Sequence, residues 1–138
     1  WGIIMGYTSI TNTLSIEPFI LYAAAIFWTL GYDTIYGLQD TYYDEIIGVK
    51  STSIKFKNNV KVFVGTCYSF CTLLVLVMFF VMEIDKYIIL LLMPFVVSLI
   101  YQVKKFKKNS PKTCWVAFKN NNLSGFLFFL FILSFKVL

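Results

Sequence analysis

Polar interruptions cut this chain into apolar runs, and the runs set its architecture. Residues 1 to about 13 are apolar and give way to a short polar turn from Asn12 to Pro18, where proline suits the first turn of a new helix. Phe19 to Tyr32 is apolar and runs directly into an aspartate-bearing segment. Val60 to Met82 reaches the roughly 20 residues a bilayer crossing needs. Glu83-Ile84-Asp85-Lys86 reads as a tight polar turn. Tyr87 to Val103 reads as a further span kinked at Pro94. A basic stretch from Lys104 to Lys119 then leads into a last span, expected from near Ala117 to Leu138. The pattern predicts an all-α fold, a polytopic transmembrane helix bundle. It has about four complete spans, at about 18–33, 60–82, 87–103 and 117–138, plus a partial first one at 1–13.

Composition agrees with a membrane location. The 138 residues are 59% hydrophobic, 20% aromatic and only 14% charged, whereas a soluble domain carries nearer 25% charge. All twelve basic residues are lysine, and there is no histidine. The excess of base does not form a nucleic-acid patch, because the lysines fall between apolar runs; the bilayer, not nucleic acid, is the expected partner. Cys67 and Cys71 share a helix face in an apolar run and read as small packing residues, since a zinc site lacks further ligands nearby. The opening residues, Trp1 to Tyr7, have no basic region before them and do not read as a signal peptide. They read as the last turns of a helix whose start is missing, so the chain is expected to be the C-terminal part of something longer.

The lysines orient the bundle. Four (Lys50, Lys55, Lys57, Lys61) lie in the expected loop 33–59 and six (Lys104, Lys105, Lys107, Lys108, Lys112, Lys119) in the expected loop 104–119, which makes ten of the twelve. Two spans separate these loops, so both belong on one side, and the positive-inside rule makes that side cytoplasmic. The first loop is long for a membrane bundle, which favours a functional role.

That loop carries Asp33, Asp40 and Asp44. Carboxylates at a bilayer edge are costly and usually functional. At about 100° per residue, the three fall within roughly 40° of one another on a continuous helix, with Tyr36 flanking the stripe. Like charges on one face need a cation among them, and Mg²⁺ takes carboxylate oxygens while holding a substrate phosphate. Asp40 and Asp44, at i and i+4, are the expected metal ligands. The competing reading is a solvated acidic loop beyond a helix end. Lys50 and Ser51, with Thr52, suit an anionic group near these carboxylates, although a routine lysine and a helix N-cap explain them as well. Asn120, Asn121 and Asn122 enter the last helix and either line a polar cavity or supply an N-cap. Tyr32, Tyr36, Tyr42 and Tyr43 offer ring faces to a cation, or simply mark the interface.

The run from Tyr32 through Asp40 to Asp44, followed by Ile47-Gly48-Val49-Lys50-Ser51-Thr52, closely resembles the second Asp-rich motif of UbiA-type polyprenyltransferases. It is most similar to those that prenylate 4-hydroxybenzoate in ubiquinone synthesis. Ala117-Phe118-Lys119-Asn120-Asn121-Asn122 with Gly125 resembles the start of that family's last helix. The resemblance covers essentially the whole chain but only the C-terminal half of a family member.

The resemblance implies a nine-helix bundle around a central cavity in the bacterial inner membrane, or the mitochondrial inner membrane in a eukaryote. It implies Mg²⁺ on Asp40 and Asp44, polyprenyl diphosphate steadied by Lys50 and Ser51, and catalytic roles for Asp33 and Tyr36 near the aromatic acceptor or the allylic cation. The triple asparagine would line the cavity. Two departures stand out: Tyr42 and Tyr43 replace acids that the family often has, and the family's first Asp-rich motif is absent and would lie before Trp1. The 138 residues are therefore expected to be inactive alone and to need a separate N-terminal half. A menaquinone or haem O prenyltransferase, or a non-catalytic membrane fragment, are the alternatives.

Overall fold

A computed structural model describes residues 1–84 and 86–137; Asp85 of the expected polar turn and Leu138 of the expected last span lie outside the described residues. Every regular element among the described residues is helical. In order, these are α1 (Gly2–Thr11), α2 (Glu17–Gly37), α3 (Thr41–Ile47), α4 (Thr52–Lys55), α5 (Val60–Val81), α6 (Lys86–Ile89), a 3-10 turn (Leu90–Leu92), α7 (Met93–Lys105) and α8 (Pro111–Val137).

Three of these, α2, α5 and α8, contain stretches long and apolar enough to cross a membrane, and the chain is an integral membrane protein. The segment expected as a fourth span is helical but not one helix. Pro94 enters at the first turn of α7, and the chain before it tightens into the 3-10 turn and α6. Proline lacks an N–H and its ring clashes with the preceding turn, so a break rather than a bend results. Asn12 adopts the left-handed conformation (φ 53°) that closes α1, and Pro18 lies in the first turn of α2.

The core lies where α2, α5, α7 and α8 meet. Ile35, Val64, Val75, Phe79, Phe95, Leu99, Ala117 and Phe131 are all but inaccessible there. α2 lies closely along α5 because Gly31 has no side chain: the Tyr68 ring occupies the space a Cβ would take.

Polar groups buried in this core are paired. The Tyr68 hydroxyl donates to Gln102 Oε1 (2.7 Å), and Gln102 Nε2 donates to Ser124 Oγ (2.7 Å). Ser124 Oγ also lies 2.8 Å from Ser98 Oγ and 3.3 Å from the Asn120 carbonyl. Gln102 and Ser124 are fully buried. The network joins α5, α7 and α8 at depths where an unmade hydrogen bond costs several kcal/mol.

The two lysine-bearing regions share one end of the bundle. Lys61 Nζ lies 5.6 Å from the Phe106 ring, which sets the start of α5 beside the end of α7. Tyr36 meets Phe118 at 4.8 Å between ring centroids, which sets the end of α2 beside the first turns of α8.

Candidate functional site

The aspartates do not form one stripe. α2 stops at Gly37, Leu38 turns inward and is buried, and Asp40 (φ −112°, ψ 9°) precedes the separate helix α3. The stop has a tertiary cause: Ser53 of α4 packs onto Gly37 where a Cβ would sit, and its hydroxyl donates to the Thr34 carbonyl (3.1 Å). Thr34 and Thr52 hydroxyls lie 2.8 Å apart beside it. The α4 segment is thus stapled to the last turns of α2, and the helical register assumed across 33–44 is broken.

Asp40 and Asp44 remain together. The Asp44 N–H donates to the Asp40 carbonyl (2.9 Å), one helical turn on. Among the described residues neither carboxylate takes part in a hydrogen bond or ion pair through its side chain, and Asp40 caps nothing. No three histidine, cysteine, aspartate or glutamate side chains converge among the described residues. Two free carboxylates one turn apart still fit Mg²⁺, which is commonly held by one or two carboxylates with the remaining positions left to water and substrate phosphate. Just before them, Gln39 Nε2 is buried with no hydrogen-bond partner. Sequence reading missed this orphaned donor because a lone glutamine carries no spacing signal.

Asp33 and Tyr36 face different neighbours. Asp33 is exposed and lines a cavity of about 520 Å³ with Thr29, Ile26 and Tyr22 of α2 and residues 1–3 at the start of the chain. Tyr36 lies against Phe118 and Trp115 of α8, at 4.8 and 6.5 Å. The Tyr36 contact continues an aromatic line on α2, because Trp28 and Tyr32 precede it at helical spacing. Trp28 meets Phe95 (5.3 Å) and Phe128 (5.9 Å), and Tyr32 meets Phe118 (6.1 Å).

α8 begins at Pro111, earlier than the expected 117, so Lys112 and Lys119 are helical and the connection from α7 is short. The asparagines accordingly lie inside the helix and cannot be its N-cap. Each points a different way, as 100° steps require. Asn121 Oδ1 accepts the Trp28 indole N–H (2.8 Å), the Asn120 carbonyl accepts from Ser124, and Asn122 is exposed.

Ser51 is the N-cap of α4, accepting from the Ile54 N–H at 3.3 Å. That hydroxyl still has its own hydrogen to donate. Lys50 beside it is exposed. Glu45 of α3 pairs with Lys57, the one ion pair among the described residues. The structure therefore brings Asp40, Asp44 and Gln39 together in sequence around one turn. It brings Tyr36 to the α8 aromatics and Asn121 to Trp28, and it directs Asp33 to a separate cavity.

Comparison with known proteins follows the same lines. The model of the UbiA prenyltransferase family matches residues 1–133. A 4-hydroxybenzoate octaprenyltransferase of Acinetobacter baylyi is 35% identical over 136 residues, covering 97% of this chain and 47% of its own length. Proteins of the same name from Sodalis glossinidius (34%; 96% of this chain, 46% of its own) and Serratia proteamaculans (32%; 94% and 45%) are similar. The chain spans about half the length of the curated relatives it matches. No solved structure matches it. With the family's model matched along nearly its whole length, this chain belongs to the UbiA prenyltransferase family.

Proposed function

We propose that this chain carries one half of a prenyl-transfer site that joins a polyprenyl diphosphate to the ring of 4-hydroxybenzoate in ubiquinone biosynthesis. The observation that carries this reading is the family match over residues 1–133, with relatives named for that reaction. Asp40 and Asp44 are the residues to hold Mg²⁺ against the donor's diphosphate. When bound there, the metal supplies the positive charge that stabilises a departing diphosphate. Lys50, the Ser51 hydroxyl and the orphaned Gln39 amide supply cationic and neutral donors for the same group. Tyr36 presents its ring to developing positive charge on the prenyl chain. Asp33 accepts the proton lost from the aromatic ring. Asn121, oriented by Trp28, forms the polar part of the cavity wall. The apolar aromatic faces exclude water from the reacting carbons. The lysine-bearing end faces the cytoplasm, or the matrix if the membrane is mitochondrial.

The remaining carboxylates come, in this reading, from the half of the relatives' length that the chain does not match, on the same polypeptide or another one. The test is co-expression with the first half of the Acinetobacter baylyi relative, followed by an assay of isolated membranes for Mg²⁺-dependent prenylation of 4-hydroxybenzoate. Product formation that disappears with Asp40→Ala or Asp44→Ala supports the reading. Full activity in both variants removes the metal assignment, and preference for a different acceptor in competition removes the substrate.

A further inference from the structure

The flank of the α5–α7 contact carries a groove of about 510 Å³ that plays no part in the proposed reaction. Its depth comes from small side chains on α5. Gly65, Ser69 and Thr72 line it at helical spacing, and a Cβ built on Gly65 meets nothing within 4 Å. The two hydroxyls are turned to their own helix: Ser69 donates to the Gly65 carbonyl (2.9 Å) and Thr72 to the Tyr68 carbonyl (2.9 Å). The opposite wall is apolar α7 surface such as Ile100, and the groove ends at Lys104.

The groove has the dimensions and charge of one lipid leaflet. From Gly65 to Leu76 it runs about 16 Å along α5, half of the roughly 30 Å hydrocarbon core. Its mouth is cationic. Lys104 lines it, and Lys61 stands one turn before Gly65 on the same face of α5, with its ammonium 5.6 Å from the ring of Phe106. Both lysines are exposed, and neither has an ion-pair partner among the described residues.

We propose that this groove binds an anionic phospholipid, with one acyl chain along Gly65, Ser69 and Thr72 and its phosphate paired to Lys104 and Lys61. A second copy of the chain fits less well, because it would set one lysine-rich end against another on a chain of net charge +5.

The test is native mass spectrometry of the chain co-expressed with the first half of the Acinetobacter baylyi relative and released from nanodiscs holding equal phosphatidylglycerol and phosphatidylcholine. Phosphatidylglycerol is expected to be retained preferentially. Lys61→Gln and Lys104→Gln are each expected to lower its retention about fivefold, as loss of one cation at a lipid surface does. Gly65→Leu, whose Cβ has open space and whose branch enters the groove, is expected to lower retention of both lipids. Equal retention of the two lipids by the parent chain, or lysine variants that retain phosphatidylglycerol unchanged, overturns the headgroup assignment. Unchanged retention in Gly65→Leu overturns the groove. Ready disulfide-linked dimers of a Gly65→Cys variant, with lipid excluded, give the groove to a second copy and overturn the proposal.

Discussion

Two sets of polar side chains in this molecule are treated in opposite ways. In the bundle core, Tyr68, Gln102, Ser124 and Ser98 are buried and satisfy one another at 2.7–2.8 Å. At the lysine-bearing end, Asp40, Asp44 and the Gln39 amide have no side-chain partner among the described residues. The core set has everything it needs from the protein, so its role is to fix α5, α7 and α8 against one another. In the set at the end, the carboxylates are open to water and only the buried Gln39 amide lacks a partner, so this set is available to something from outside.

The sharpest way to break this contrast is to remove one group from each set. Asp40→Ala or Asp44→Ala in the reconstituted enzyme is expected to cost at least about a hundredfold in prenylation rate, since even groups that only support metal ligands are worth 10–100-fold. The same variants are expected to leave thermal stability in detergent within about 0.5 kcal/mol, because neither carboxylate contributes to packing. Gln102→Leu reverses the pattern. It strands the Tyr68 hydroxyl and removes one of the donors to Ser124, and a loss of about 2 kcal/mol in reversible unfolding is expected. A stable Gln102→Leu chain, or an unfolded Asp40→Ala chain, would dissolve the distinction.

Trp28→Phe lies between the two sets. It keeps most of the aromatic packing but releases Asn121, and about 1 kcal/mol of stability should be lost. If Asn121 belongs to the cavity wall, the Michaelis constant for the acceptor rises while the stability loss stays small. Smallest is Ser51→Ala, which removes the α4 cap at a cost of about 0.5–1 kcal/mol. Hydrogen exchange at Ile54 reads it directly.

Much of the fold was legible in the sequence because bilayer physics leaves few options. Runs near 20 apolar residues must be helical, and the lysine distribution groups the two basic regions on one side, where Lys61 and Phe106 meet. The α8 start was missed because six lysines between 104 and 119 were read as loop, although lysines on a helix can extend their charge away from its apolar face. Pro111 was the available start signal.

The aspartate stripe failed for a different reason. Locally, only Gly37 hints at a helix end in Gly37-Leu38-Gln39. The end is imposed by Ser53, sixteen positions further on, packing onto Gly37. The core network was invisible because its members lie 22 to 34 residues apart in each pair and are recognisable only once the helices are assembled. What the break leaves unchanged is a short-range geometry, Asp40 and Asp44 one turn apart.

The break after Gly37 has one more consequence. α3 is joined to α2 by a short connector, while α4 beyond it is held to α2 through the Thr34, Ser53 and Thr52 contacts and to the α3 region by the Lys57–Glu45 pair. Enlarging Ser53 is expected to move α4, and with it the Lys57–Glu45 tie to α3, relative to Asp33. The position of the Asp40 and Asp44 pair is thus governed by contacts between short segments, apart from the helices long enough to cross a bilayer.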